Sequence, residues 1–182
     1  MPKKLFVIFL LIVIAALSSV YFYSLYTSQK VVKGISSAAI SYGDPLSWKG
    51  YEFKEVGLSL ATPPELRVSG EKVDENTFTL YIERGSYPNS DYYQLYGIFH
   101  LGGIEANAAD TVKRDLDQSS ITQRAISGFN TIQGQYRGDR NRLVTYIFTD
   151  RGLFTLATSQ PTYENGRLTD AILNTFQFFP TE

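Results

Sequence analysis

Cysteine is absent from all 182 residues, which excludes a disulfide framework and a bacterial lipoprotein anchor. Histidine and tryptophan occur once each, at His100 and Trp48. The chain carries no His-Glu-x-x-His, no Gly-x-Ser-x-Gly and no phosphate-cradling glycine loop ahead of a helix. No catalytic residue, metal ligand or cofactor is therefore expected. A carboxylate pair brought together only by the fold would escape such reading, so an enzyme is not excluded. A basic excess is lacking too. Without Lys3 and Lys4 the remaining 15 basic residues face 18 acidic ones, a net charge of −3, so nucleic acid is not an expected partner.

Charge is also missing from one long stretch. Between Lys4 and Gln29 no residue is charged, and Leu5 to Tyr26 as a helix spans roughly 33 Å, enough for a ~30 Å hydrocarbon core. The expectation is a single-pass anchor at the plasma membrane. Residues 1–4 then form a basic cytoplasmic tail, 27–49 a linker, and 50–182 a domain on the extracytoplasmic side. Lys30 and Lys33, just beyond the run, narrow the charge asymmetry behind that orientation. The competing reading is a cleaved secretory signal with Ala16-Leu17-Ser18 before the cut, which leaves the domain secreted or periplasmic. Tyr21, Phe22, Tyr23 and Tyr26 extend the apolar character and suit a helix end among headgroups, favouring retention.

Thr27 to Lys49 is broken by Ser28, Gly34, Ser36, Ser37, Ser41, Gly43, Asp44 and Pro45. Trp48 stands at the threshold of the domain and is expected to pack against its edge. Strand patterns follow at Tyr51 to Phe53, Leu58 to Ala61, Leu66 to Val68, Thr77 to Glu83 and Tyr93 to Leu101. In Thr77 to Glu83, Phe78, Leu80 and Ile82 share one side while Thr77, Thr79, Tyr81 and Glu83 share the other. Asn107 to Gln118 turns to the helical period, with Ala108, Val112 and Leu116 in line, Lys113, Arg114, Asp115 and Asp117 on the opposite, solvated face, Asn107 as N-cap and Asp110 at the positive dipole end. Asp115 and Asp117 diverge on such a helix, so a metal pair is not expected there.

Ile121 to Ser127, Phe129 to Arg137, Leu143 to Thr149 and Gly152 to Thr158 form an antiparallel run joined by turn residues. Leu143 to Phe148 and Leu153 to Thr158 have apolar residues in both alternating sets, so both faces need cover. Leu168, Ala171, Ile172 and Phe176 mark a second helical stripe, and Phe178-Phe179 a last strand or docked tail. Phe78, Leu80, Ile82, Val112, Leu116, Leu156, Ile172 and Phe176 are expected to be buried together. The fold class is α+β, an antiparallel sheet covered by helices.

Gly57-Leu58-Ser59-Leu60-Ala61-Thr62-Pro63, the mid-chain helix, and the ending Ala171-Ile172-Leu173-Asn174-Thr175-Phe176-Gln177-Phe178 together resemble the PsbP-like family over roughly 51–179. The family is named for an extrinsic protein of the oxygen-evolving photosystem and includes bacterial single-domain relatives. The resemblance implies an α/β/α sandwich used for docking or assembly, and it carries no catalytic residues over.

Two functional readings stand side by side. The first is a non-catalytic docking or assembly module of the cell envelope with a protein partner, and the second a domain that binds a small molecule or glycan. Arg137-Gly138-Asp139 is read as turn chemistry, and Arg137, Arg140, Arg142 and Arg151 lie at opposite strand ends rather than in one patch. The expected contact residues are Tyr87, Tyr92 and Tyr93, in and after the loop from Arg84 to Tyr92, where polar turn residues surround broad amphipathic rings. Membrane fractionation and N-terminal sequencing test the anchor. An intact membrane-bound chain is expected, and a soluble product starting near Ser19 would replace the anchor with a signal peptide.

Overall fold

The computed structural model describes residues 45–180 apart from 90, 140, 141, 160 and 161. The apolar run Leu5 to Tyr26, most of the expected linker and Arg140 lie outside them. The chain divides into two compact units, 1–41 and 42–182, and every described residue belongs to the second. Among the described residues no helix is long and apolar enough to cross a membrane.

Strands dominate, as the alternating patterns require. A 3-10 turn at Pro45–Ser47 leads into β1 (Lys49–Phe53), β2 (Leu58–Thr62), β3 (Arg67–Lys72), β4 (Thr77–Arg84) and β5 (Tyr93–Leu101). Helix α1 (Ala108–Asp115) and a second 3-10 turn precede β6 (Thr122–Ile126), β7 (Phe129–Gln135), β8 (Arg142–Thr149) and β9 (Gly152–Ser159). Helix α2 (Tyr163–Leu173) and the short β10 (Gln177–Phe178) end the order. A seven-stranded sheet runs β3-β4-β5-β9-β8-β7-β6, and a three-stranded sheet runs β1-β2-β10. Every pairing among these strands is antiparallel. The described residues thus form a mostly antiparallel β structure with two helices, compatible with the α+β class.

The two-sided apolar strands meet cover on both sides. On one face Phe78, Leu80, Ile82, Leu95, Phe99, Ile147, Phe154 and Leu156 pack with Leu168, Ile172 and Leu173 of α2, with Phe176, and with Leu58 and Leu60 of β2. On the other face Ile132, Val144 and Tyr146 pack beneath Val112 and Leu116. The alternation inside β8 separates the two sets, since Ile147 belongs to one cluster and its neighbour Tyr146 to the other. All eight residues expected as core are buried, but not together. Val112 and Leu116 stand on the far side of the sheet from the other six, because α1 and α2 serve different faces.

Helix α2 starts at a capped N-terminus. Thr162 is the N-cap and its hydroxyl accepts from the Asn165 amide at 3.1 Å. Helix α1 departs from expectation at both ends. Asn107 occupies the N-cap position but its side chain makes no capping bond. The helix stops at Asp115 instead of reaching Gln118, because Leu116 turns to an extended conformation, is wholly buried and bridges to Tyr136. Gly134 permits that approach: a Cβ there would meet Leu116 at 3.2 Å. Asp117 then caps the second 3-10 turn, accepting from the amide and hydroxyl of Ser119 at 3.0 and 2.9 Å.

The chain's entry is tied down early. Trp48 is only 8 % exposed and belongs to the same core as Leu58 and Leu60. At the far end the Phe179 amide donates to the Gly57 carbonyl at 2.8 Å, continuing the pairing of β10 with β2.

Leu116→Ala and Ile172→Ala remove fully buried side chains from the two different clusters. Each is expected to lower stability by about 2–5 kcal/mol in denaturant unfolding, and because they share no packing partner the double variant should be near-additive. Strong non-additivity would show that the faces are not independent.

Candidate functional site

The three tyrosines expected as a contact patch separate in the structure. Tyr93, the first residue of β5, points into the core and is fully buried. Its hydroxyl lies 3.0 Å from that of Thr169, which lies 2.9 Å from that of Thr158. This is a hydroxyl chain joining β5, β9 and α2, and Tyr93 is therefore no surface contact. The period-2 pattern of β5 begins at Tyr93 itself, which puts its ring on the same face as Leu95 and Phe99.

Tyr87 and Tyr92 do remain at the surface. Tyr87 is 69 % exposed and Tyr92 half-buried, with ring centroids 5.8 Å apart in an edge-on arrangement. Their loop is held by Arg84, whose Nε donates to the Asp91 carbonyl at 3.0 Å, and by the Asn165 amide, which donates to the Tyr92 carbonyl at 3.4 Å.

A second tyrosine pair lies on the sheet itself. One cross-strand row on the face served by α1 reads Ser69, Tyr81, Tyr96, Ala157, Val144 and Gly134. The α1 end of that row is buried; at the other end Tyr81 is 39 % exposed and its ring centroid is 4.7 Å from that of Tyr96. Burial pushes the Tyr96 hydroxyl pKa up, and the neighbouring Tyr81 adds to the shift. Helix α1 is too short to reach this half of the face. Sequence reading placed Tyr81 on the non-core side but attached no role to it, since a tyrosine on a solvated strand face is ordinary.

Cavities flank α1 and the loop before it. One of about 520 Å³ lies toward β6, β7 and β8, with Ile104, Ala109, Lys113, Ile132 and Phe148 in its walls. Another of about 240 Å³ lies toward β5 and β9, with His100, Leu101, Val112 and Leu153. A third, of about 300 Å³, sits where the C-terminal tail passes the β8–β9 turn, lined by Phe99, Phe129, Phe178 and Arg151.

The charged groups singled out in the sequence are engaged elsewhere. Arg151 donates through Nη1 to the Val56 and Phe179 carbonyls at 2.8 and 3.4 Å. Arg142 pairs with Asp139 of the Arg-Gly-Asp turn at 3.2 Å, and Arg137 donates to the Arg114 carbonyl at 3.3 Å. His100 is exposed at the end of β5. The carboxyl of Asp74 is held below its ordinary pKa mainly by the Asn76 amide at 2.8 Å, with His100 a lesser cause. On the first face Arg124 reaches Asp170 at 2.7 Å, and Gln133 links Asp170 to Thr145 at 3.3 and 2.9 Å. Among the described residues no three His, Cys, Asp or Glu side chains gather as metal ligands.

Tyr93→Phe should lower stability by about 1 kcal/mol through the lost hydroxyl, whereas Tyr87→Ser should change it by less than about 0.5 kcal/mol. Equilibrium unfolding measures both. A large loss at Tyr87 would recast that ring as structural cover.

Comparison with protein-family models, with curated proteins and with solved structures finds no match to this chain.

Proposed function

We propose that this protein is a non-catalytic docking module of the cell envelope, held by residues 5–26 as a single-pass anchor with its folded domain on the extracytoplasmic side. The observation that carries the reading is the half of the seven-stranded sheet that α1 leaves uncovered. Tyr81 and Tyr96 form the aromatic centre of that surface, and Ser69, Gln94, Thr155 and Ser159 lie on the same side of the sheet by register. An aromatic centre within a polar rim is the composition of a protein interface. Charge on it is close to balanced, as in the Arg67 and Glu83 pair at 3.2 Å. The partner that fits is a folded protein rather than a polyanion or a lipid surface. The layering, with α1 on one face and α2 with the small sheet on the other, agrees with the PsbP-like α/β/α sandwich that the sequence resembles.

A second reading, a small-molecule binder, is favoured by the larger cavity beside α1, whose volume of about 520 Å³ lies within the usual range of ligand sites, ~300–1,000 Å³. A glycan is favoured less, because Phe148 is the one Phe, Tyr or Trp in the walls of the two cavities beside α1.

Tyr81→Thr with Tyr96→Thr tests the docking reading. Threonine keeps the strand preference, so the lost ring pair should reduce stability by only about 1 kcal/mol. Native electrophoresis of gently extracted membranes should show a complex for the parent chain and free chain for the variant. The reading falls where the complex survives the double substitution, or where the parent chain runs alone.

A further inference from the structure

We infer that the cavity between α1 and the outer strands is a binding site for an amphipathic organic carboxylate, a molecule with one apolar body and one anionic head. This deepens the small-molecule reading above and rests on it. One side of the cavity is apolar without being sealed, and the other is polar. Ile132 is 4 % exposed, but Ile104, Ala109 and Phe148 are half-buried, so apolar surface is left beside the second core cluster. The smaller cavity continues it past Ile104 and Ala108, which belong to both.

The cover over this space is loosely held. Val112 is the one buried residue within α1, and the helix lacks a side-chain N-cap. Gly102 and Gly103 open the preceding loop with no atom within 4 Å of where a Cβ would stand. An element with so little burial belongs to the low-stability end of a fold, where ligand-gated segments are found. An apolar body can therefore enter between α1 and the strands without breaking the sheet.

The head is specified by Lys113. Its side chain is 33 % exposed and lines the larger cavity, and its ammonium meets Asp110 at 4.0 Å, the outer limit of an ion pair, with that acid 81 % exposed. A cation so weakly neutralised and half removed from water favours an incoming carboxylate. Arg124 also borders the cavity, but Asp170 already holds its guanidinium at 2.7 Å. Glu105, the acid at the shared mouth, is exposed and so more strongly screened than Lys113. Gln123 and Asn130, neutral donors at the rim, complete the polar side.

The test is photo-labelling of the full-length chain in nanodiscs, with diazirine-bearing dodecanoic acid and, in parallel, the matching diazirine-bearing alcohol. The acid should label peptides containing Ile104, Ile132 or Phe148, and more strongly than the alcohol. Lys113→Gln should reduce labelling by the acid about tenfold and leave labelling by the alcohol unchanged, while Lys113→Arg should preserve both. Equal labelling of the cavity by acid and alcohol, unaffected by Lys113→Gln, would overturn the carboxylate assignment and leave a binder of neutral apolar molecules. Labelling confined to other surfaces, or absent with both probes, would overturn the site and the small-molecule reading together. The label map of the parent chain decides this without reliance on how any variant folds.

Discussion

The constraint on which the structure depends is the two-sided apolar character of β8 and β9. A strand with water on one side can alternate simply, but Val144, Tyr146, Ile147, Phe154 and Leu156 put bulky groups on both sides of neighbouring strands. Both faces must then be removed from water, at roughly 25 cal/mol per Å² of apolar surface. One helix cannot do this. The chain therefore sends α1 to one face, and sends α2 with the β1-β2-β10 sheet to the other. The unequal size of these two covers creates the surface and cavities described above. Helix α2 and the small sheet together seal their face, whereas an eight-residue helix shelters only part of its own.

Much of this architecture was legible in the amino-acid pattern. The stretches at β4, β5, β8 and β9 were long, rich in β-branched and aromatic residues and bounded by turn residues, and each appeared within a residue or two of its expected limits. β3 was read short because Ser69, Gly70, Glu71 and Lys72 offer no apolar rhythm. They are exposed on an edge strand, held by pairing with β4 instead of by burial. The end of α1 was misplaced for a complementary reason. Leu116 continues the i, i+4 stripe perfectly well, but tertiary contact with Tyr136 and Gly134 takes it out of the helix. Which face each helix serves was not legible at all, since helical periodicity records that a stripe is buried and not what buries it.

The candidate site was less legible still. Tyr93 looked like part of a tyrosine-rich loop by composition, and only the phase of β5 distinguishes it from Tyr92. The pairing of Tyr81 with Tyr96 joins residues fifteen positions apart and requires the register of β4 on β5. The cavities depend on how far an eight-residue helix reaches across a sheet, a length relation between elements that no local pattern encodes. Lys113 read as one more residue of a solvated helix face; its half-buried position comes from the strands beneath it.

The small sheet has a mechanical consequence. β1 and β10 flank β2 on opposite sides and run in the same direction, and their pairings overlap at Ser59 and Leu58. The chain enters at Lys49, opposite Thr62, and leaves through Phe178 toward the end of the sheet where Phe53 lies. Tension between these two points acts along the strands, in shear, and loads the five residue pairs of β1 with β2 together instead of unzipping them in turn. Arg151, between β8 and β9, bonds the Val56 and Phe179 carbonyls and so ties the β1–β2 turn to the residue after β10. A domain strung between an upstream tether and a downstream load would thus take the force in its smaller sheet, leaving the seven-stranded sheet and the surfaces it displays undistorted.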